Sequence, residues 1–589
     1  MSRNRKRVDP VQLRQNITEN EAMTRTDKRI VWAVTLVYLL IALLNLGTLS
    51  FPVSYYHATG EPVAVRFSSP VTVEKVWINA NVSCDTVIFA AGSGDVQEYE
   101  PEDGDMFQWA EMSLELPETD YITVTMSEGS EINELAFFDE AGRLIPCTVV
   151  SGSGAELIDE QDTVPARPSY FIGMYFDEIY HARTAYEFTR NMSVYEWTHP
   201  PLGKLIISVG ILIFGMKPFG WRCMGALFGA GMLPILYVFS KRIFKRTDYA
   251  ALTTLLMAAD CMHFTQTRIA TIDVYAVFFI ILMFFFMYEF VRKPYLETPV
   301  SVQLRHLLLC GLSFACGCSS KWTGCYAGAG LAVVLFWRLA EEGIDSKKRG
   351  EDAWAGYKKK TLSVLLHCCA FFVAIPAVIY YLSFFPFYRY KAATIGEYSF
   401  KDTFRTLIDE QKSMYSYHSN LTATHLCQSK WFQWPFTVKS VWFYVSRVGD
   451  KLSNISSTGN PAVWWVSAVG FVCLVLERAM GKIKKAPVHL ILFVGVAANY
   501  LPWILVDRCV FLYHFFATVP FILLSAVYLL YTLEQRGAVG KNWKWVWLGV
   551  AIVYFILLFP AISGIPTGFT YASFLENTLP AGYLYYGWV

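Results

Sequence analysis

The chain reads as a polytopic α-helical membrane protein of about eleven spanning helices, carrying a small extracytoplasmic β-sandwich near its N-terminus. Three observations predict this: a composition poor in charge, a series of apolar runs of bilayer length, and a polar stretch of alternating residues after the first such run. Aliphatic, aromatic and Cys residues make up 54% of the 589 residues and charged residues 17%, below the roughly 25% usual in soluble domains. The formal net charge of +1 supplies no field for nucleic acid, which is excluded as a partner. Most of the thirteen cysteines, such as Cys310, Cys316, Cys318, Cys368 and Cys369, lie in apolar runs as small hydrophobes and lack zinc-ligand spacing. No metal site is expected from them.

Crossing the hydrocarbon core takes about 20 apolar residues at about 1.5 Å rise each. Such runs lie near residues 30–50, 221–240, 248–264, 270–291, 304–319, 322–338, 361–385, 461–477, 487–505, 509–531 and 544–562. The first follows a basic leader of 29 residues and lacks a small-residue cleavage site, so it is a span rather than a cleaved signal. The run between Lys204 and Lys217 is about 18 Å long as a helix, too short to cross, and is assigned to the interface. With eleven spans and a cytoplasmic N-terminus, the basic loops Lys241–Arg246, Lys347–Lys360 and Arg478–Lys485 all fall inside, as the positive-inside rule requires. The expected organisation is a cytoplasmic leader (1–29), first span (30–50), sandwich (51–165), first outer loop with interfacial helices (166–220), spans two to seven (221–385), outer loop (386–460), spans eight to eleven (461–562) and an extracytoplasmic tail (563–589).

Short alternating runs at Val71–Ile78, Thr86–Phe89 and Tyr121–Thr125, broken by Gly and Pro, predict the sandwich. It either binds glycan or is a structural insert. Cys84 and Cys147 both fall in it, as a disulfide or as two thiols. Asn81, Asn191, Asn420 and Asn454 open N-x-S/T sequons on the outer face. In the second outer loop, Phe400, Phe404, Leu407, Gln411 and Met414 recur at four and three spacing, which predicts a helix lying over the site or on the membrane.

The polar residues of interest gather at the outer ends of the spans. Asp177 and Glu178 are adjacent carboxylates ahead of an amphipathic run marked by Ile179, Ala182 and Tyr186; acids are favoured at a helix N-terminus by the dipole, and a proton acceptor at a lipid–water boundary is the other reading. The stretch Glu196 to Lys204 holds His199 and Lys204 on a turn fixed by Pro200 and Pro201, where Lys204 either snorkels or binds an anion. Arg222 opens the second span; Arg268 and Asp273 open the fourth, where they pair or line a polar cavity, since charge inside a membrane is costly. Lys321 lies between two spans, placed to hold a phosphate or to snorkel. His425, Trp434, Arg508, Tyr513 and His514 stud the outer ends of the later segments and are candidate cavity residues, although an aromatic belt accounts for some of them. Independent snorkelling would scatter cations over both faces; their convergence on one face with a carboxylate pair suits a reaction on a lipid-phosphate donor.

Asp177-Glu178, His199-Pro200-Pro201-Leu202-Gly203-Lys204, Phe219-Gly220-Trp221-Arg222, Arg268 to Asp273, Ser320-Lys321-Trp322, Trp434-Pro435 and Tyr513-His514 together resemble the protein O-mannosyltransferases, from about residue 170 to the C-terminus. The resemblance implies a GT-C fold and an inverting transfer of mannose from a polyprenyl-phosphate donor to Ser or Thr hydroxyls of an acceptor protein. It implies Asp177 as general base, Glu178 as its helper, and Arg222 and Lys321, with Arg268, His199 and Lys204, as cations for the leaving phosphate. The implied scheme uses no cofactor and no metal; the lipid-linked sugar is a substrate. Residues 386–460 are too few for the β-trefoil MIR domain of eukaryotic members, so the likeness is to the prokaryotic type, in a plasma membrane with site and C-terminus outside. The same donor chemistry with a lipid or cell-envelope glycan acceptor is the alternative. A transporter of lipid-linked sugars would show charges near the midplane and an internal repeat, and no repeat is visible.

Overall fold

The computed structural model describes residues 21–151 and 153–579. Expectations for the leader up to residue 20 and for the tail beyond 579 lie outside the described residues.

Helix α1 (Arg25–Leu43) starts at a capping box in which Thr24 and Asp27 satisfy each other's backbone N–H groups. Asp27 also accepts from Tyr237 Oη (2.8 Å) and Thr247 Oγ1 (2.7 Å) and pairs with Lys241. The helix stops at Leu43, seven residues short of the apolar run's end, because the chain turns at Asn45 in the left-handed region (φ 52°).

The sandwich is built on two long antiparallel strands, β2 (Val63–Ala80) and β5 (Ala110–Met126), with β1 (Tyr56–His57), β3 (Val87–Ala91), β4 (Val96–Tyr99), β6 (Glu131–Phe138) and β7 (Cys147–Ser151) around them. Register shifts between Arg66 and Lys75 bend the β2–β5 ribbon, so its two halves belong to opposite layers: one half carries β7 and β3–β4, the other β6 and β1. Phe67 and Phe89 meet Phe137 between the layers at 5.6 and 6.4 Å. Cys84 and Cys147 are free thiols. Two of the sequons are closed to modification in this fold: Asn81 and Asn454 are buried, and Asn81 donates to Asn133, which donates in turn to Asn79.

The helices follow in chain order as α2 (Glu178–Arg190), α3 (Leu202–Phe214), α4 (Pro218–Phe244), α5 (Thr247–Ala258), α6 (Cys261–Gln266), α7 (Asp273–Val291), α8 (Val300–Ser320), α9 (Thr323–Arg349), α10 (Glu351–Ser383), α11 (Phe385–Ile395), α12 (Phe400–Asn420), α13 (Pro461–Ala479), α14 (Pro487–Tyr500), α15 (Val519–Gln535), α16 (Trp543–Ser563) and α17 (Phe569–Thr578). Among the described residues, eight are long and apolar enough to cross a membrane: α4, α7, α8, α9, α10, α13, α14 with its short continuation to Leu505, and α16. The other three expected spans take other forms. That at 30–50 is the shorter α1, with charges in its first turn. That at 248–264 splits into α5 and α6, because Asp260 caps a new helix through the N–H of His263 (3.0 Å). That at 509–531 yields its first third to a 3₁₀ turn, Leu512–Ala517, before α15 begins. Residues 202–214 form a 13-residue helix, α3, as the short run predicted.

In the second outer segment, α12 buries Met414 in a cluster with Phe384 and Phe387, with Leu407 half-buried against it, while Phe400 and Phe404 remain exposed. A hairpin, β8 (Val441–Val448) and β9 (Lys451–Ser457), with β10 (Thr567–Gly568) beside β9, was not anticipated. At the opposite end of the bundle, Arg246 and Lys544 pair with Asp248 and Glu534, tying together the ends of α5, α15 and α16.

The sandwich is held to α2 by Arg190, whose guanidinium binds both oxygens of the buried Glu131 (2.7 and 3.0 Å) and stacks on Tyr55. Phe107 packs edge-on against Tyr186 at 5.1 Å beside it. Arg190→Ala leaves Glu131 buried without its cation, at an expected cost of about 1.5–3 kcal/mol for hydrogen bonds to a charged group. Thermal unfolding of the purified protein should fall by several degrees, with part of the loss recovered in Arg190→Lys; an unchanged transition would show that other contacts dock the sandwich.

Candidate active site

Two adjacent carboxylates open α2, and the fold gives them opposite surroundings. Glu178 is fully buried and saturated. It accepts from Arg222 Nε (2.7 Å) and Nη2 (2.6 Å), Trp221 Nε1 (3.2 Å), and the backbone N–H groups of Ala270 (3.0 Å) and Tyr175 (3.3 Å). Arg222, also fully buried, spends its remaining donors on the carbonyls of Leu46, Tyr170 and Gly173 at 2.7–2.9 Å. The pair therefore ties the end of α1, the linker after the sandwich, and the start of α2 to the membrane bundle.

Asp177 is turned the other way by Phe176, which has φ 51°, a conformation costly for a bulky residue and held by stacking of its ring on Phe443 at 4.4 Å. Among the described residues the Asp177 carboxylate accepts no hydrogen bond. It faces a cavity of about 470 Å³ lined also by Asp273, Lys321, Arg508 and Tyr513. Burial pushes its pKa up to about 7, with the charge of Asp273 adding to the rise and Lys321 opposing it.

Lys321 caps the end of α8, with Nζ 2.7 Å from Asp273 Oδ1 at the start of α7 and 5.9 Å from the centre of the Tyr513 ring. The turn that presents it depends on Gly324: a Cβ there would stand 2.6 Å from the backbone N of Cys318, so α8 and α9 cross this closely only with glycine. Arg508 follows α14, and among the described residues its guanidinium has a single hydrogen bond, to the carbonyl of Cys509 at 3.4 Å. Lys321 and Arg508 also line a second cavity of about 870 Å³, shared with His199, Trp322 and His514, whose rim includes the exposed apolar Leu505 (84%). The two cavities meet at Lys321, Arg508, His199, His418 and His514.

A hub that sequence reading did not single out lies beside them. Glu196 accepts from Lys204 Nζ and from His199 Nδ1 (3.0 Å), with His181 3.8 Å away. Burial opposes its charge, but Lys204 and His199 outweigh that and hold Glu196 well below the usual carboxylate range. Burial lowers His181 to about 3 and His418 to about 4, so both rings are neutral at pH 7, and it lowers His199 as well against the opposing charge of Glu196. Nothing in the sequence marks Glu196 as buried.

The expected site residues thus separate. Asp177, Lys321, Asp273, His199, His425, Arg508, Tyr513 and His514 line the cavity. Four others are corrected. Arg222 cannot meet a donor phosphate, because Glu178 and three carbonyls consume its five N–H donors. Arg268 donates to the carbonyls of Ala42, Leu44, Asn45 and Ser563 and secures the ends of α1 and α16. Lys204 is fully buried on Glu196 and on the carbonyls of Glu196 and His199. Trp434 is buried behind the wall, donating to Ser429 and stacked on His514. His199 remains in the cavity, its Nδ1 held by Glu196 and its charged form disfavoured by burial.

Fold and site together define a polytopic membrane glycosyltransferase of the GT-C type, its acidic centre at one end of the helical bundle. Residues 212–388 match the family model described as dolichyl-phosphate-mannose-protein mannosyltransferase, and residues 403–576 match the C-terminal four-span region of protein-O-mannosyltransferase, together more than half of the chain. The chain belongs to the protein O-mannosyltransferase family. It is 25% identical over 66% of its length, and 84% of the relative's, to a polyprenol-phosphate-mannose–protein mannosyltransferase of Mycolicibacterium smegmatis. It is 24% identical over 65% of its length and 80% of the relative's to the protein of that name from Corynebacterium glutamicum. In structure it is similar to a chain of the Saccharomyces cerevisiae protein O-mannosyltransferase Pmt1-Pmt2 complex bound to the sugar donor, with TM-score 0.57 and 13% identity over 68% of this chain and 88% of that one, a likeness of fold.

Glu178→Gln removes the charge that Arg222 requires while both remain buried, and breaking one side of such a pair costs about 3–5 kcal/mol. The variant should unfold at markedly lower temperature than wild type in detergent. Equal stability would show that the carbonyl contacts of Arg222 suffice.

Proposed function

We propose that the protein is an inverting glycosyltransferase that moves mannose from a polyprenyl-phosphate donor to Ser or Thr hydroxyls of proteins on the extracytoplasmic face of a prokaryotic plasma membrane. The observation that carries the mechanism is the contrast within the acidic pair: Glu178 is saturated, whereas Asp177 faces the cavity without a hydrogen-bond partner among the described residues and with a raised pKa. A base with pKa near the working pH is best suited to take a proton in the transition state. Asp177 removes the hydroxyl proton as the acceptor oxygen attacks the anomeric carbon, and the bond to the lipid phosphate breaks on the opposite side, which inverts the configuration.

The leaving phosphate gains charge in that step. Lys321 and Arg508, at the junction of the two cavities, stabilise it, with His199 and His514 as neighbouring hydrogen-bonding groups. Arg508 takes the place that sequence reading gave to Arg222. The larger cavity, with apolar Leu505 at its rim beside the end of a span, suits a lipid-linked donor; the smaller suits sugar and acceptor. The scheme uses no cofactor and no metal. The basic ends of α4 and α9 lie at the opposite end from Lys321 and Asp273, which by the positive-inside rule supports an outward-facing site.

Asp177→Asn should lower kcat for transfer of radiolabelled mannose from polyprenyl-phosphate mannose to a Ser/Thr-rich peptide by about a hundredfold to ten-thousandfold. Because a carboxylate with raised pKa is protonated below it, wild-type kcat/KM should climb as pH rises through about 7. A profile flat from pH 5 to 9 would remove Asp177 from the role. Arg508→Ala should cost about a hundredfold to a thousandfold in kcat, as for a lost donor to a developing oxyanion; a near-normal rate would leave the phosphate to Lys321 alone. Turnover of donor without labelled peptide would favour a lipid or glycan acceptor, which mass spectrometry of the products would identify.

A further inference from the structure

The segment that follows α12 borders the site without belonging to any element. The chain leaves the helix at Leu421 with extended dihedrals (φ −68°, ψ 111°), and residues 421–425 form no helix, turn or strand. Leu421, Ala423 and Thr424 line the cavity that holds Asp177; Leu421 and Thr422 line the donor cavity. Both ends are pinned. On one side His418 Nε2 meets the carbonyl of Thr198 at 2.9 Å; on the other His425 packs against Phe511 at 5.3 Å and Ser429 donates to the carbonyl of Val510 at 3.0 Å.

Between those pins, and among the described residues, the backbone N–H and C=O groups of Thr422, Ala423 and Thr424 form no hydrogen bond, and all three residues are exposed. Exposed backbone with unused N–H and C=O groups can pair with another chain, as the edge strand of a sheet does. Leu421-Thr422-Ala423-Thr424 carries no charge and no Pro, so nothing in it blocks such pairing beside the cavity of Asp177.

We infer that the acceptor polypeptide docks in extended form along Leu421–Thr424, pairing backbone to backbone, so that its Ser or Thr hydroxyl enters the cavity toward Asp177. This rests on the reading of the protein as a transferase to polypeptide hydroxyls. The arrangement follows from three requirements. An extended chain exposes alternate side chains to one face, so one hydroxyl points inward while its neighbours point away. Main-chain pairing gives affinity without demanding a sequence. A third cavity, lined by Trp197, Tyr417, Leu421, Thr422 and Ala423, continues from this edge, and its two aromatic rings, 5.9 Å apart, form a wall for flanking acceptor side chains. At about 3.4 Å per residue, four residues of edge would pair about four residues of acceptor.

The test uses the full-length protein in detergent, polyprenyl-phosphate mannose, and a peptide with a single Thr, synthesised in versions N-methylated at one backbone amide at a time. Methylation removes a donor without touching the hydroxyl. The expected result is a KM for peptide raised about three- to tenfold at alternate positions around the Thr, with the intervening positions unaffected, as loss of single hydrogen bonds on one side of a strand predicts. KM unchanged by methylation at every position, with transfer intact, would overturn the docked strand and leave the transferase reading standing. Absence of transfer to the unmethylated peptide, with donor still consumed, would overturn both.

Discussion

The buried pair of Glu178 and Arg222 is the contact on which the site depends. Each is inaccessible to water, and an unpaired charge in that position would cost several kcal/mol. The two therefore cannot separate while the protein is folded. Since Arg222 sits in the first turns of α4 and reaches carbonyls just after α1 and in the linker after the sandwich, three segments distant in sequence are drawn to one point. The N-terminus of α2, and with it Asp177, is fixed as a consequence.

Around that anchor the charges are sorted by whether they are satisfied. Arg222, Arg268 and Lys204 have their donors taken by protein oxygens, whereas Asp177 and Arg508 face open volume and Lys321 is held by Asp273 at the edge of the same volume. A cavity lined by fixed groups of both signs favours charge that develops within it, because little reorganisation is left to do. The strained backbone at Phe176 belongs to this arrangement, since it aims Asp177 away from the partners that claim Glu178. Burial disfavours the charged form of the histidines beside the cavity, so they add hydrogen-bonding groups more than positive charge.

The sandwich is coupled to the same helix from the other side. Arg190, at the far end of α2 from Asp177, clamps Glu131 of the sandwich, so a domain with its own core bears directly on the element that presents Asp177. Its bent β2–β5 ribbon lets two layers share two strands, which is how so short a segment encloses a core between Phe67, Phe89 and Phe137.

Sequence alone determined the membrane class, most spans and the sandwich, since these follow from hydrophobic length and period, which are local and additive along the chain. It also brought out Asp177, Lys321 and Asp273, through their convergence on one end of the bundle. It did not foresee that Asp260 breaks the run at 248–264 into two helices, and it missed the β8–β9 hairpin. Only the tertiary structure decided which ion is spent and which is free. Arg222 and Arg508 look alike as cations near helix ends; one finds Glu178 and three carbonyls, and the other finds a cavity. The same holds within the acidic pair, where neighbouring carboxylates point to opposite surroundings. Hydrogen-bond saturation depends on partners brought from more than forty residues away, as Arg222 is to Glu178, and no local pattern carries that information.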